Sequence, residues 1–242
     1  MSFPAALVVW VLISSSAAFA QTDTTLLPIN LGPNVNGPYD DILPVIEPDG
    51  KTLYFCRSHD PNNVGGARQD IWYSELQADG TWGVAKNIGP PLNNRDNNYL
   101  CSITPDGNTV LLGDSYADPK MKHRSVAISH RTASGWSQPK SLQIENYFNN
   151  NRLGEFTLAN DGKTLIMAIE RPDSKGGKDL YISFRQTDSS WSEPKNMGGV
   201  VNSIGHEATP FLASDNSTLY FASDGFGGFG AFDVFVTRRL DS

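Results

Sequence analysis

The sequence has 242 residues and a formal net charge of −7; 39% of its residues are hydrophobic and 19% are charged, and it contains 22 glycines and 15 prolines. This length allows one large all-β domain or two ordinary domains. The low charge and the many turn-forming residues exclude a helical bundle and a disordered chain. The acidic balance, without any basic run, excludes nucleic acid and anionic lipid as partners.

The first 20 residues form an apolar stretch that ends in small residues. Ala18-Phe19-Ala20 fits the small-x-small rule for signal peptidase, and a polar segment follows at Gln21. The alternative is a transmembrane anchor, but three serines interrupt the apolar run, and no later segment approaches the length of a spanning helix. We therefore expect residues 1–20 to be a signal peptide and the mature chain to be exported to the periplasm or cell envelope.

Three sequence markers recur with a period near 54 residues, and they keep the same phase. The first is a tryptophan that opens a Trp-Ser-x-Pro-Lys-type segment, at Trp82, Trp136 and Trp191. The second is a turn motif of the Asp-Gly-x-Thr type, at Asp49, Asp106, Asp161 and, as Asp-Asn, at Asp215. The third precedes a short apolar run, at Asp70, Ser125, Asp179 and Asp233. Independent markers in phase predict tandem structural units.

Each unit is predicted to contain four short strands. A first apolar run leads into the Asp-Gly turn, which is typical of a hairpin, and the second run follows it directly. The third strand begins at the aligned Asp, and the fourth begins at the tryptophan. No stretch has a convincing helical period, so the sequence predicts an all-β chain. Four-stranded antiparallel units that lead directly into one another are typical of a β-propeller.

The ends of the chain favour a closed ring of four blades. Residues 28–36 match residues 86–93 and 195–202, which follow the tryptophan strands. We therefore expect the N-terminal strand to complete the last blade, within a single domain of residues 21–242. The predicted units are residues 43–98, 99–155, 156–208, and 209–242 together with 26–42. The alternative is a truncated product of a longer gene, with further blades after Ser242.

The repeated strings resemble those of TolB-type, WD-like periplasmic propellers, which often precede OmpA-type peptidoglycan-binding domains. The strings are Pro-Asp-Gly-Lys-Thr-Leu-Tyr-Phe from Pro48, Ser-Asp-Gly with paired glycines from Ser223, and Trp-Ser-Glu-Pro-Lys-Asn-Met-Gly from Trp191. The resemblance covers residues 27–240. It implies the propeller fold and says little about chemistry, because a propeller is a scaffold for many functions.

Several motifs have a functional and a structural interpretation. The aligned aspartates are interpreted as acceptors of backbone N–H bonds rather than as a calcium site, because they recur once per blade. The glycine-rich segment from Ser223 is interpreted as a turn that carries Phe226 and Phe229. The three aligned tryptophans are interpreted as packing residues rather than as a carbohydrate platform. Cys56 and Cys101 either pair in an oxidising compartment or are buried separately. We expect no cofactor and no metal site, since the four histidines lack metal-binding spacing.

The candidate binding site follows from propeller geometry. The residues eight positions before the aligned turn aspartates are Asp41, Asn98, Leu153 and Glu207, and their polar neighbours are Asp40, Arg152, Glu155 and His206. In a closed ring they converge at the mouth of the central channel, which is a concave polar surface. The predicted partner-binding residues are therefore Asp41, Asn98, Arg152, Glu155, His206 and Glu207. The alternative is that these residues cap strands and bond to loops.

These observations favour a monomeric, non-catalytic propeller that binds an envelope protein or glycan. The alternative is an exported enzyme that cleaves polysaccharides. That function needs a cluster of histidine, carboxylate and arginine side chains at the channel mouth, and His206-Glu207 is the one adjacent pair of this type.

Overall fold

The computed structural model describes residues 28–113, 116, 126–151, 153–187 and 190–240. The chain divides into an N-terminal unit, Met1–Asn30, of which only residues 28–30 are described, and a second unit, Leu31–Ser242. The predicted signal peptide lies outside the described residues. Within those residues, no helix has the length and apolar character needed to cross a bilayer.

Four antiparallel sheets form a four-bladed β-propeller, so the predicted fold class is confirmed. Blade 1 contains β1 (Asp40–Ile46), β2 (Thr52–Ser58), β3 (Asp70–Glu75) and β4 (Lys86–Asn87). Blade 2 contains β5 (Leu100–Ile103), β6 (Thr109–Gly113), β7 (Val126–Thr132), β8 (Gly135–Trp136) and β9 (Lys140–Ser141). Between blades 2 and 3, β10 (Gln143–Ile144) pairs in parallel with β14 (Ser190–Trp191) of blade 3. Blade 3 contains β11 (Glu155–Leu158), β12 (Thr164–Ile169), β13 (Asp179–Phe184) and β15 (Lys195–Asn196), and blade 4 contains β16 (Glu207–Leu212), β17 (Thr218–Ser223) and β18 (Asp233–Arg238).

The fourth strand differs from the predicted one. In blades 1 and 3 the strand that pairs with the third strand is a Lys-Asn pair, β4 or β15, located four residues after the tryptophan. The tryptophans themselves form single bridges farther along the third strand, Trp82 with Leu76 and Trp191 with Arg185. The outer strand is therefore divided in two, because between these pairs three residues of the outer strand lie opposite two residues of the third strand.

The hairpin between the first and second strands has the same geometry in every blade. Gly50, Gly107 and Gly162 have φ values of 71°, 67° and 66°, and Asn216 occupies the equivalent position with φ 52°. This left-handed conformation is the reason that glycine or asparagine follows the turn aspartate. The aspartate accepts a bond from the amide two residues later, for example from Lys51 to Asp49 and from Lys163 to Asp161.

Apolar clusters join consecutive blades. The clusters between blades 1 and 2, 2 and 3, and 3 and 4 are built from the same positions of the repeat: the middle of the second strand and the start of the third strand of one blade face the second strand of the next. Representative members are Tyr54, Ile71, Val110 and Leu112; Leu111, Val126, Leu165 and Met167; and Ile166, Leu180, Leu219 and Phe221. The repeated sequence therefore encodes a repeated interface.

A short connector links each fourth strand to the next blade in blades 1 and 3. It has the pattern Asn-x-Gly-x-x-x-Asn, with Gly89 and Gly198 at φ 68° and 83°. Its last asparagine is fully or almost fully buried and bonds to both backbone groups of one residue: Asn93 to Ile71, and Asn202 to Leu180. Its apolar member, Leu92 or Val201, is buried in the inter-blade cluster.

Residues 32–36 form the same turn at the start of the second unit, with Gly32 at φ 86° and the Asn36 amide bonded to the Gly32 carbonyl at 2.8 Å. The segment predicted to close the ring, residues 26–42, begins outside the described residues, so ring closure stays a prediction. Asn36 is exposed, and β18 pairs with β17 but with no other described strand. Burial of Val35 with Trp72 and the bonds of Asn34 to Trp82 and Ala85 hold this segment on blade 1.

Candidate functional site

The first strands of all four blades line a central cavity of about 390 Å³. Its wall is mainly apolar and includes Val45 from β1, Ile103 from β5, Phe156 from β11 and Phe211 from β16. Glu155 is the acidic residue of this lining. A concave surface built by every blade, with few polar groups, is the usual form of a ligand-binding site.

A β-bulge shapes the cavity wall in three of the four blades. The pairing of the first strand with the second shifts register after Ile42, Leu100 and Ala208, whereas β11 pairs with β12 without a shift. Leu43 and Thr209, at the bulges of blades 1 and 4, have φ values of 53° and 46°. A positive φ is uncommon for any residue other than glycine and is most costly for a β-branched one such as Thr209. It is found where the surrounding structure imposes it. Both residues line the cavity.

Asp41 is one of three predicted site residues that lie inside the protein. Its carboxylate forms a bidentate ion pair with Arg57, with Arg57 Nε at 2.7 Å from Oδ1 and Nη2 at 3.2 Å from Oδ2, and it accepts a bond from the Gly37 amide. The Arg57 guanidinium also donates to the Val35 carbonyl and lies 4.6 Å from the centre of the Trp72 ring. Asp41 therefore fixes the start of β1.

Asn98 and Glu207 are fully buried. Asn98 Oδ1 accepts a bond from the Asn94 amide at 2.9 Å, which closes the loop before β5. Glu207 Oε1 accepts bonds from the hydroxyls of Ser203 and Ser223, at 2.5 and 2.7 Å. The contacts of these two residues, like those of Asp41, match the capping interpretation that the sequence left open. None of the three is among the residues that line the cavity, and their role at the channel mouth stays a prediction.

Glu155 and His206 are the predicted site residues that contact one common residue, Lys178, and Glu155 lines the cavity. Glu155 Oε1 lies 2.6 Å from Lys178 Nζ, and Oε2 accepts a bond from the Thr209 amide. His206 Nδ1 accepts a bond from the Lys178 amide at 3.1 Å. Blades 3 and 4 are thus joined beside Glu155 of the cavity wall by a small polar cluster of Glu155, Lys178 and His206.

In blade 3 the count of eight residues before the turn gives Leu153, which is 55% exposed. Because β11 lacks the bulge residue, Gly154 takes the equivalent place, and its carbonyl accepts a bond from the Tyr99 hydroxyl at 2.9 Å. Arg152 lies outside the described residues. Asp40, next to Asp41, is exposed, with its Oδ2 at 3.4 Å from His59 Nδ1.

Sequence reasoning missed Lys178, although its position carries a signal. The residues before Asp70 and Asp179 contact the start of the next blade: the Gln69 carbonyl accepts from the Asn98 amide, and the Lys178 carbonyl accepts from the Glu207 amide. A charged side chain at this position is therefore placed beside the first strand of the next blade.

The structure also shows the contacts of the aspartates that precede the third strands. Each aligned aspartate accepts backbone N–H bonds, from Val64 to Asp70, Lys175 to Asp179 and Phe229 to Asp233, so the hairpin interpretation is confirmed. Burial raises the pKa of the Asp70 carboxyl, and its Oδ1 has no hydrogen-bond partner among the described atoms.

The aromatic residues of the other two motifs differ in their burial. Trp191 is buried in the cluster between blades 2 and 3. Phe226 packs against Phe221 and Phe235, whereas Phe229 is fully exposed.

The described part of the chain contains no group of three or more His, Cys, Asp or Glu side chains that could hold a metal ion. Cys56 and Cys101 are free thiols. A second cavity, of about 360 Å³, lies between the hairpin turns of blades 2 and 3 and is lined by His130, Arg185 and Trp191, among others.

Comparison with solved structures shows the same fold in TolB from Agrobacterium tumefaciens. That structure is 18% identical to the chain and has a TM-score of 0.50; the match covers 83% of this chain and 59% of TolB. The chain therefore spans only part of the TolB length. The similarity supports a TolB-like propeller and shows the fold alone.

Two further solved structures match with lower scores. An endo-arabinanase from Bacillus licheniformis is 15% identical, with a TM-score of 0.48 over 90% of this chain and 81% of its own. A periplasmic gluconolactonase from Pseudomonas aeruginosa is 12% identical, with a TM-score of 0.40 over 75% of this chain and 64% of its own. No protein-family model matches the sequence, and no curated protein matches it.

Proposed function

We propose that the chain is a non-catalytic propeller of the periplasm or cell envelope, and that its central cavity binds a protein or a peptidoglycan-associated partner. The observation that carries this proposal is the cavity of about 390 Å³, which is lined by the first strand of every blade. Its apolar wall suits an apolar side chain of a partner, and the cluster of Glu155, Lys178 and His206 beside it supplies polar contacts.

The predicted signal peptide and the resemblance to periplasmic propeller repeats support the proposed location. Mass spectrometry of the mature protein tests it: the expected N-terminal residue is Gln21. A full-length chain retained in the inner membrane would support an anchor instead.

The binding proposal is tested with a photo-crosslinking amino acid at Phe211, which lines the cavity and is 60% exposed. The matched control carries the same amino acid at Val84, which is exposed on the outer part of blade 1. Both variants are incubated with solubilised envelope proteins and with purified peptidoglycan. We expect a discrete adduct from position 211 and none from position 84.

Two substitutions complete the test. We expect Phe211→Asp to reduce recovery of the cross-linked species from the same extract about tenfold, and Val84→Asp to leave recovery unchanged, with equal melting temperatures. Equal adducts from both positions, or none from either, contradict the proposal. The enzymatic alternative would be established if the purified protein released oligosaccharides from a panel of polysaccharides and the Phe211→Asp variant did not.

A further inference from the structure

We propose that the cavity of about 360 Å³ between blades 2 and 3 binds a small organic carboxylate with an apolar body, carried by a free acid or by the C-terminal residue of a peptide. This cavity lies between the hairpin turns of the two blades, and it shares no lining residue with the central cavity. The proposal is therefore independent of the function proposed for the central cavity.

The junction between blades 1 and 2 contains a carboxylate of its own at the equivalent place. Glu47 opens the hairpin turn Glu-Pro-Asp-Gly of blade 1 and forms an ion pair with Arg131 of blade 2. The Arg131 guanidinium also donates to the Gly107 carbonyl at 2.9 Å and lies 4.5 Å from the centre of the Trp136 ring. A carboxylate, a guanidinium and an indole ring thus form one site at this junction.

The junction between blades 2 and 3 keeps the arginine and the tryptophan, but not the glutamate. Arg185 is bridged to Trp191 in the same register as the equivalent pair of blade 2. The position of Glu47 is occupied by Thr104, which opens the turn Thr-Pro-Asp-Gly. Thr104, Arg185 and Trp191 all line the cavity. The cavity is therefore built from the positions that hold a glutamate carboxylate in the first junction.

A second difference between the repeats replaces another carboxylate. Five residues after the start of the third-strand motif, blade 1 has Glu75 and blade 2 has His130, which lines the cavity. His130 Nδ1 lies 3.0 Å from the Thr109 hydroxyl, and in the tautomer in which Nδ1 accepts this bond, Nε2 is a donor. Two acidic positions of the first junction are thus a threonine and a histidine here, which favours an anionic ligand.

Arg185 is the group that we expect to bind the ligand carboxylate directly. Its Nη1 lies 4.0 Å from the position that a Cβ would take at Gly162, so the guanidinium is beside the hairpin turn of blade 3. Its Nε donates to the Thr187 carbonyl at 3.2 Å. A guanidinium has five N–H donors in a planar fork that matches a carboxylate, so a bond to the backbone is compatible with binding of a ligand.

The rest of the cavity wall defines the rest of the ligand. Ile128, Leu142 and Leu158 supply apolar surface, which suits an aliphatic or aromatic body. Asp106 and Asp161 also line the cavity, and each accepts a backbone amide of its own turn. Their negative charge disfavours a second anionic group on the ligand. The expected ligand is therefore a monocarboxylate.

The probe is 3-(4-fluorophenyl)propionate, which is titrated with the full chain and followed by fluorine NMR line broadening. The matched control ligand is the corresponding propionamide, which has the same shape and no charge. We expect a Kd on the order of 1 mM for the acid and binding at least fivefold weaker for the amide. This comparison uses the unmodified chain, so it does not depend on the folding of a variant.

Two peptides distinguish the two sources of the carboxylate. They are acetyl-glycyl-phenylalanine with a free C-terminus and the same peptide with an amidated C-terminus. Tighter binding of the free peptide than of the fluorinated acid assigns the site to peptide C-termini, and the reverse order assigns it to free acids. In both cases the amidated peptide is expected to bind at least fivefold more weakly than the free one.

Two protein variants locate the site. We expect Arg185→Gln to weaken binding of the acid about tenfold, because it removes the charged donor. We expect Thr104→Glu to weaken it at least tenfold, because this change supplies the carboxylate that Glu47 supplies in the first junction. The matched control is Arg239→Gln, which removes the exposed arginine at the equivalent position of blade 4 and is expected to leave binding unchanged.

Three results would overturn the proposal. The first is equal binding of the acid and the amide, and the second is unchanged binding of the acid in both Arg185→Gln and Thr104→Glu. The third is loss of binding in Phe211→Asp, which would place the ligand in the central cavity instead.

Discussion

Arg57 is a single residue on which the start of blade 1 depends. Its buried guanidinium joins Asp41 of β1, the Val35 carbonyl and the face of Trp72. We expect Arg57→Ala to lower the free energy of unfolding by about 3 kcal/mol, because the substitution leaves the Asp41 carboxylate buried without its partner. Urea denaturation measures this change.

The control for this substitution is Arg68→Ala. Arg68 and Asp96 form an ion pair whose side chains are half exposed. Such pairs contribute little, so we expect a change within about 0.5 kcal/mol. Equal decreases in the free energy of unfolding for Arg57→Ala and Arg68→Ala would show that the Arg57 guanidinium does not stabilise the start of blade 1.

The reactivity of the Cys56 thiol gives a test of its burial. Burial raises the pKa of the Cys56 thiol to about 12, and the residue is fully inaccessible. Since the thiolate is the reactive form, only about one thiol in 10,000 is ionised at pH 8. We expect iodoacetamide to label Cys56 only after denaturation, at any pH from 7 to 9. Labelling of Cys56 in the native protein at the rate of Cys101, measured by peptide mass spectrometry, would contradict the structure.

At the scale of the structural element, the connectors supply a matched pair of asparagines. Asn202 bonds to both backbone groups of Leu180, while Asn36 holds the same repeat position and is exposed. We expect Asn202→Ala to cost about 3 kcal/mol, since it leaves a buried N–H and a buried C=O unpaired. For Asn36→Ala we expect a change within about 0.5 kcal/mol.

This pair also tests the predicted closure of the ring. A large loss of stability in Asn36→Ala would mean that Asn36 bonds to a third strand in the way that Asn93 and Asn202 do. That result would support the closed ring predicted from the sequence.

The hairpin of blade 4 offers a stabilising substitution. Asn216 has φ 52° where the other three blades have glycine, and its buried Oδ1 has no hydrogen-bond partner among the described atoms. We expect Asn216→Gly to raise the free energy of unfolding by about 0.5–1 kcal/mol, because glycine adopts this conformation without steric cost. Gly162→Asn, the reverse change in blade 3, is expected to lower it. A change of the same sign in both variants, measured by thermal denaturation, would contradict this explanation.

At the scale of the whole molecule, the strands that the structure describes do not protect the four blades equally. Strands β3 and β13 are bonded on both sides, whereas β18 is bonded to one described strand. We expect the amides of residues 233–238 to exchange at least tenfold faster than those of residues 70–75 and 179–184, because strand edges open locally at a lower free energy. Equal exchange in the three segments would show that the free side of β18 is covered.

The sequence predicted the blades well because its markers have local causes. The Asp-Gly turn and the aligned aspartates act within a few residues of themselves, so their spacing gives the strand order. The site was predicted less well because it depends on one-residue differences between repeats. A bulge in β1, β5 and β16 that β11 lacks moves Gly154 to the place predicted for Leu153. The burial of Asp41, Asn98 and Glu207 depends on partners such as Arg57 and Ser203, which lie outside the aligned positions.

The shared pattern of the connectors has a consequence for how such a gene changes. Each connector completes its own blade through asparagine and enters the next blade through Leu92 or Val201, and the faces that it joins are built from equivalent positions. We therefore expect unequal recombination between two connector-coding segments to add or remove about one repeat of about 54 codons without interrupting a strand pair. A chain with one repeat more or fewer would then keep the same kind of junction between consecutive blades.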